Sequence, residues 1–288
     1  MTTRRQVLAL GAAAGVTLSS RLPAALREAA PWTGGGDIAV GGGTLHYATM
    51  GKGPPLVVLP KLGGWIADWR LAAPYLAQTH TVIAFDPPGH GGSAMNGPPP
   101  YIMTVPECAA ALLAALDEIG VERFAVAGNS LGGVIGIVMA ACWPGRIEKL
   151  AILSTSLIGA MDRAAIREQD AGRADATSML PAAERNRLFG TLDPRVTEEQ
   201  ERSSAIAGGW LRACERGVGR VGVTDYLPRI VAPTLLLNAD RGRYAKYAEV
   251  GLRLIPHARA AVIADAGSFV HQEKPRETAA AIATFLAG

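Results

Sequence analysis

Cysteine is scarce and unpatterned in this chain. Cys108, Cys142 and Cys214 are an odd number at wide spacing, and none lies in a CxxC or a Cys/His cluster. That argues against a structural zinc site and against a disulfide framework, so the three thiols are expected as ordinary buried residues. Charge is low as well: 18% of the residues are charged, with a formal net charge of +3. No Lys/Arg run is dense enough to form a nucleic-acid surface, so no nucleic-acid partner is expected. Asp86, Asp240, Asp265 and His271 share no metal-ligand spacing. No P-loop or dinucleotide fingerprint occurs, so no cofactor is expected. There is no internal repeat. What the chain has in quantity is apolar: 49% of its 288 residues are hydrophobic. That suffices for the buried core of one large domain and argues against disorder.

The N-terminus stands apart. Arg4-Arg5 directly precedes an alanine-rich apolar run from Val7 to Val16. A basic start followed by a short apolar stretch is the pattern of an export signal, and paired arginines point to the Tat route. The run is shorter than the ~20 residues that span a bilayer, so no stable membrane anchor is expected. Residues 1–30 are therefore read as a Tat-type signal leading to the periplasm or the exterior, with cleavage near Ala25 or Ala30. Without a working signal the chain would stay in the cytoplasm. Tat cargo folds before export, which accommodates a chain without paired cysteines.

Beyond residue 30 the pattern alternates. Two short β-type runs flank Gly41-Gly42-Gly43 and read as a hairpin. "PPLVVLP" (54–60) is a continuous apolar run, the signature of a strand buried on both faces. "TVIAF" opens a second such strand at 81, which ends in the turn "DPPGHGGS" (86–93). A helix is expected over 105–120, a strand over 123–130, a helix over 131–143 and a strand over 148–156. From 157 to 228 Arg, Glu, Asp and Ala crowd the chain and no buried strand shows, so this stretch reads as a helical insertion. Strands resume at 232–240 and 259–267, with helices over about 244–254 and 275–287. Such β-α alternation implies a mostly parallel sheet with helices on both faces.

Gly128-Asn129-Ser130-Leu131-Gly132 falls between an apolar strand and an apolar helix. In that context GxSxG is a nucleophile elbow: small residues flank a turn so tight that the serine hydroxyl is lifted above the sheet edge. The following helix aims its positive N-terminus at the same spot. On these residues, together with "LGGW" (62–65), "DPPGHGGS", "PTLLL" (233–237) and "DAGSFVHQEKP" (265–275), the chain from about 35 to 288 resembles the α/β-hydrolase family. The resemblance implies an α/β-hydrolase fold with a mostly parallel eight-stranded sheet. It divides the chain into a core of 31–156 and 229–288 and a helical lid of 157–228. It also implies oxyanion donors at the backbone N–H groups of Leu62 and Leu131, and a small-molecule substrate.

The resemblance fails where the catalytic partners of Ser130 should stand. Its acid position falls on Gly242, with Asp240 two residues early. Its base position falls on Ser268, with His271 three residues late, about 4.5 Å along a helix. The loop holding Leu62 opens with Pro60-Lys61 in place of the usual His-Gly. A serine without a base is a poor nucleophile. Three readings stay open. The chain is an enzyme of altered chemistry that uses Ser130 and the oxyanion amides on a small, largely apolar carbonyl, ester or lactone, including elimination or cyclisation. It is a serine esterase with His271 and Asp240 as relocated partners. Or it is a ligand-binding pseudoenzyme.

Overall fold

The architecture comes from a computed structural model, which describes residues 31–171, 183, 186, 189, 192 and 194–288. The expected signal at 1–30 and part of the insertion, 172–182 included, lie outside the described residues.

Among the described residues nine strands build one sheet: β1 Gly34–Val40, β2 Gly43–Met50, β3 Pro55–Leu59, β4 Thr81–Phe85, β5 Ala94–Met95, β6 Phe124–Asn129, β7 Ile147–Leu153, β8 Thr234–Ala239 and β9 Ala258–Ile263. The continuous order is β1-β2-β4-β3-β6-β7-β8-β9, and β5 pairs only with β2. Pairing is parallel from β4 through β9 and antiparallel at the β1-β2 and β2-β4 edge. The expected eight strands are thus the continuous path. The ninth, a two-residue pairing after the "DPPGHGGS" turn, is too short to leave an apolar pattern in the sequence.

The apolar runs form central strands because both of their faces are covered. In β3, Leu56 and Val58 join one core layer and Val57 and Leu59 the other. In β6, Phe124 and Val126 alternate with Ala125 and Ala127 in the same way. One layer holds α2 (Val105–Glu118) and α3 (Leu131–Cys142). The other holds a 3-10 turn (Ile66–Trp69), α1 (Ala73–Leu76) and the C-terminal helices α9 (Val270–Glu273) and α10 (Pro275–Ala287). Helix α2 starts where Thr104 and Glu107 cap each other reciprocally, each side chain taking the other's amide, with Pro106 in the first turn.

Between β7 and β8 the described residues form helices α4 (Arg163–Ala171), α5 (Pro194–Ala207), α6 (Gly209–Arg220) and α7 (Val223–Tyr226). Arg216 and Arg220 both pair with Asp170, which ties α6 to α4. Two sequence boundaries move. The strand expected to run to 267 ends at Ile263, because the Asp240 carboxylate captures the amides that follow it. The helix expected from 244 becomes a 3-10 turn (Ala245–Tyr247) leading into α8 (Ala248–Leu254). No helix among the described residues is long and apolar enough to cross a membrane.

Candidate active site

Ser130 stands at the C-terminal end of β6, the centre of the sheet and the place where open α/β sheets bind ligands. Its backbone is held at φ 51° and ψ −112°, a sparsely populated conformation for a residue with a side chain. The neighbouring glycines make that turn possible. A Cβ on Gly128 would strike the Gly132 carbonyl, one on Gly132 the Leu59 carbonyl, and one on Gly133 the Thr155 hydroxyl. Ser130 N–H donates to Leu153 O at 3.1 Å, and Gly132 N–H to Pro60 O at 3.0 Å. The elbow is therefore stitched to both flanking strands.

Leu131 is the first residue of α3, so its N–H has no intrahelical acceptor and points out of the helix start. Leu62 lies in a tight turn closed by Gly64 N–H donating to Lys61 O at 2.9 Å, with Gly63 at φ +71°. A side chain at Gly63 would meet both Leu211 and the Ser204 hydroxyl, so this loop is roofed by the insertion. The loop's departure, Lys61, is a buried cation beside the fully buried Asp68. Burial raises the Asp68 carboxyl, while Lys61 and Arg70 pull it back down. Arg70 pairs with Glu199 of α5, which also accepts from Trp65 Nε1 at 3.4 Å.

The positions expected for an acid and a base do lie together beside the elbow. Asn129 Nδ2 donates to Ser268 O at 3.2 Å and to Leu153 O at 3.2 Å. Ser268 N–H in turn donates to Phe189 O at 2.7 Å. A Cβ on Gly242 would sit 3.5 Å from Gly267 O. The side chains at those positions, however, are a fully buried serine hydroxyl and a hydrogen atom.

What Ser130 meets instead is Tyr244. Its buried phenol lies near enough to Ser130 for the serine to favour the ionised form slightly. Burial raises this phenol above its ordinary value of 10.0, against the smaller opposing effects of Arg243 and Ser130, so it is protonated at neutral pH. Around it stand Phe189 (ring centroids 6.5 Å apart), Tyr247 (6.4 Å) and, beyond Phe189, Phe269 (5.5 Å from Phe189). Arg243 lies over both the Phe189 and Tyr244 rings, at 5.5 and 5.6 Å. Sequence reasoning missed Tyr244. Its only signal is a place two residues beyond the acid position, on the loop that leaves β8.

His271 and Asp240 do not meet. His271 is fully buried and tilted against Trp69, with ring centroids 4.6 Å apart, in the layer of the 3-10 turn and α10. Neither ring nitrogen has a hydrogen-bond partner among the described residues. Burial, aided by Lys61, pushes its pKa down to about 3. Asp240 is exposed and spends its carboxylate on the N–H groups of Asp265 (3.0 Å) and Ala266 (3.2 Å), which hold it below the usual carboxylate range. It fastens the loops after β8 and β9. His90 is buried too. Its Nδ1 lies 3.0 Å from Pro88 O, and burial lowers its pKa to about 4. Beside it, the Asp86 carboxylate accepts from Ile66 N–H and Gly92 N–H, both at 2.6 Å, and burial raises it to about 6. No group of three or more His, Cys, Asp or Glu among the described residues could hold a metal ion.

These shifts fix how acid acts on the fold. Unfolded, His271 and His90 take up protons near 6.5; folded, they refuse them until about 3 and about 4. Their contribution is present above pH 6.5 and is lost as pH falls. Asp86 acts the other way: folded at about 6 against an ordinary 3.8, it costs stability as pH rises through that window. Asp68, Glu199 and Glu273 are raised by burial too and act with Asp86, so the histidine effect is read by comparison: each proton a histidine takes up only on unfolding costs about 1.4 kcal/mol per pH unit on acidification. From pH 6.5 to 4.5 the thermal midpoint of the wild type is expected to lose ground against that of His271→Phe, whose ring can still pack on Trp69. Calorimetry across that range checks this; the same pH dependence in both proteins would contradict it.

Comparison with known proteins agrees with the geometry. Residues 56–281 match the model described as "Alpha/beta hydrolase family". Esterase YbfF of Escherichia coli K12 is 28% identical over 81% of this chain and 92% of its own. 3-oxoadipate enol-lactonase 2 of Acinetobacter baylyi is 26% identical over 67% of this chain and 74% of its own. Three relatives at 33–34% identity are covered over only 32–44% of their own length. Among solved structures, the enol-lactonase of Burkholderia xenovorans LB400 superposes with a TM-score of 0.76 at 22% identity, over 88% of this chain and all of that one.

Proposed function

The chain belongs to the alpha/beta hydrolase family, and we propose that it is an enzyme acting on the carbonyl of a small, largely apolar ester- or lactone-type substrate, from a site that has no imidazole base. The observation that carries this reading is the strained elbow that holds Ser130 at the start of α3, while His271 is buried against Trp69 in the core layer of the C-terminal helices. Relatives named as an esterase and as enol-lactonases support the substrate class.

The chemistry follows from the donors present. The carbonyl oxygen lies between the N–H groups of Leu62 and Leu131, where preorganised donors stabilise developing negative charge. The Tyr244 phenol, protonated beside Ser130, can give its proton to a second substrate oxygen such as that of a leaving group. Among the described residues nothing beside Ser130 draws its proton away at neutral pH, so serine attack is slow. The site suits substrates that carry their own driving force: a strained lactone, an activated ester, or a molecule folded for elimination or cyclisation.

The helical insertion acts as the lid. Phe189 hydrogen-bonds to Ser268 and faces Tyr244, Trp210 covers Gly89, and Leu211 covers Gly63. The Arg4-Arg5 pattern supports export through the Tat route.

The test is turnover of a panel of apolar lactones and p-nitrophenyl esters by the wild type, His271→Phe and Ser130→Ala. The reading expects activity on strained or activated members, unchanged in His271→Phe and lost in Ser130→Ala. Saturable binding with no turnover of any member would favour a ligand-binding role and overturn the enzymatic one.

A further inference from the structure

Helix α5 turns a largely polar face to the core. Val196, Gln200, Ser203, Ser204 and Ala207 recur at helical spacing and are all buried, and the Glu199 side chain beside them is only 11% exposed. Burying polar groups costs free energy unless each finds a partner. These groups find theirs. One Glu199 oxygen pairs with the Arg70 guanidinium, and the other accepts from Trp65 Nε1 at 3.4 Å. Gln200 Nε2 donates to Gln272 Oε1 at 2.8 Å, and the Ser203 hydroxyl donates to Gln200 O at 3.0 Å.

The two partners of Glu199 bracket one short stretch. Trp65 and Arg70 flank the 3-10 turn Ile66–Trp69, which directly follows Leu62-Gly63-Gly64 of the oxyanion loop. The core holds this stretch through Asp86, which accepts from Ile66 N–H at 2.6 Å, and through Asp68, whose carboxylate a Cβ on Gly64 would strike. The insertion holds it through Glu199 and through Ser204 and Leu211, which both crowd Gly63.

We propose that Glu199 is a positioning residue: by gripping Trp65 and Arg70 it sets the oxyanion loop, so that the Leu62 N–H is aimed at the substrate carbonyl only while α5 is seated. The inference rests on the reading of Leu62 as an oxyanion donor in an enzyme acting on esters or lactones. Seating of the insertion and completion of the oxyanion site are then one event, the way closing elements assemble a catalytic constellation. Glu199 acts through the loop and touches no reacting atom. Its loss therefore weakens a donor that matters most in the transition state, and leaves ground-state binding nearly as it was.

The experiment compares the full-length wild type with Glu199→Gln, Glu199→Asp and Gln200→Leu. Gln200→Leu frees α5 from Gln272 instead of from the oxyanion loop and is the control. The first readout is hydrogen exchange in peptides spanning 61–70, where the N–H groups of Gly64, Ile66 and Asp68 are hydrogen-bonded. The second is kinetics on the activated p-nitrophenyl ester that the wild type turns over fastest. In Glu199→Gln, exchange over this stretch is expected to quicken at least about tenfold. There kcat should fall about 10- to 100-fold, as for a misplaced donor, with KM within about twofold. Glu199→Asp keeps the charge one methylene short. It should shift both readouts the same way by less, and it decides the matter if Glu199→Gln does not fold. Gln200→Leu should lower the thermal midpoint yet leave exchange at 61–70 and kcat as in the wild type. Wild-type exchange and kcat in both Glu199 variants would overturn the proposal. So would an equal fall of kcat in Gln200→Leu, which would make α5 a cover held by general packing. If no ester is turned over, the enzymatic reading fails separately, and exchange at 61–70 alone then supports or overturns the grip of Glu199 on the loop.

Discussion

In the double variant Gly242→Asp/Ser268→His, hydrolysis of an activated ester is expected to rise at least about 10²-fold over the wild type, the lower end of what a positioned base supplies. The two positions are adjacent in space and tied to the elbow. Asn129 holds the Ser268 carbonyl, and the space at Gly242 opens toward the Gly267 carbonyl. A Cβ at Gly242 would approach its neighbours no closer than 3.3 Å, and no positive φ strains a side chain there. An imidazole at 268 would share the space beside Ser130 with the Tyr244 hydroxyl, so adding Tyr244→Phe should raise the gain further. The new activity should carry a pH–rate limb near 6.5, the ordinary value for histidine, which the wild type lacks. Folded variants with no gain and no such limb would show that neither position faces the serine.

Tyr244→Phe in the wild-type background should lower kcat by about 10²-fold, with KM little changed. That is the size of losing one preorganised donor to a developing oxyanion. The substitution removes only the hydroxyl; the ring keeps its packing against Phe189 and Tyr247. Because burial places Tyr244 ionisation above 10.0, wild-type activity should be level from about pH 7 to 9. In a site run by an imidazole, by contrast, the phenol would be a bystander and its loss would leave kcat within about twofold of the wild type.

Much of this molecule is legible in its sequence because burial on both faces writes continuous apolar runs. Leu56–Leu59, Phe124–Ala127 and Leu235–Leu237 each alternate between two core layers, and each stands out as a strand. The elbow is legible because steric exclusion leaves only glycine at 128, 132 and 133. The gaps at Gly242 and Ser268 are legible as departures from a pattern. Tyr244 is not, because its role arises from a loop that brings a residue of one segment onto the hydroxyl of another, and no spacing encodes that. The fate of His271 is hidden for a related reason. Its nearness in sequence to the base position makes it a candidate base. One turn of α9 instead rotates it into the layer behind, against Trp69. Asp240 likewise sits close in sequence to the acid position, yet the amides at 265 and 266 claim both of its oxygens.

The central claim is that Ser130 works beside a phenol and without an imidazole base. The most direct measurement is the rate at which a fluorophosphonate labels Ser130 in the wild type, in His271→Ala and in Gly242→Asp/Ser268→His. The account predicts slow labelling in the first two, equal between them, and fast labelling in the third. Rapid labelling of the wild type that disappears in His271→Ala would contradict it.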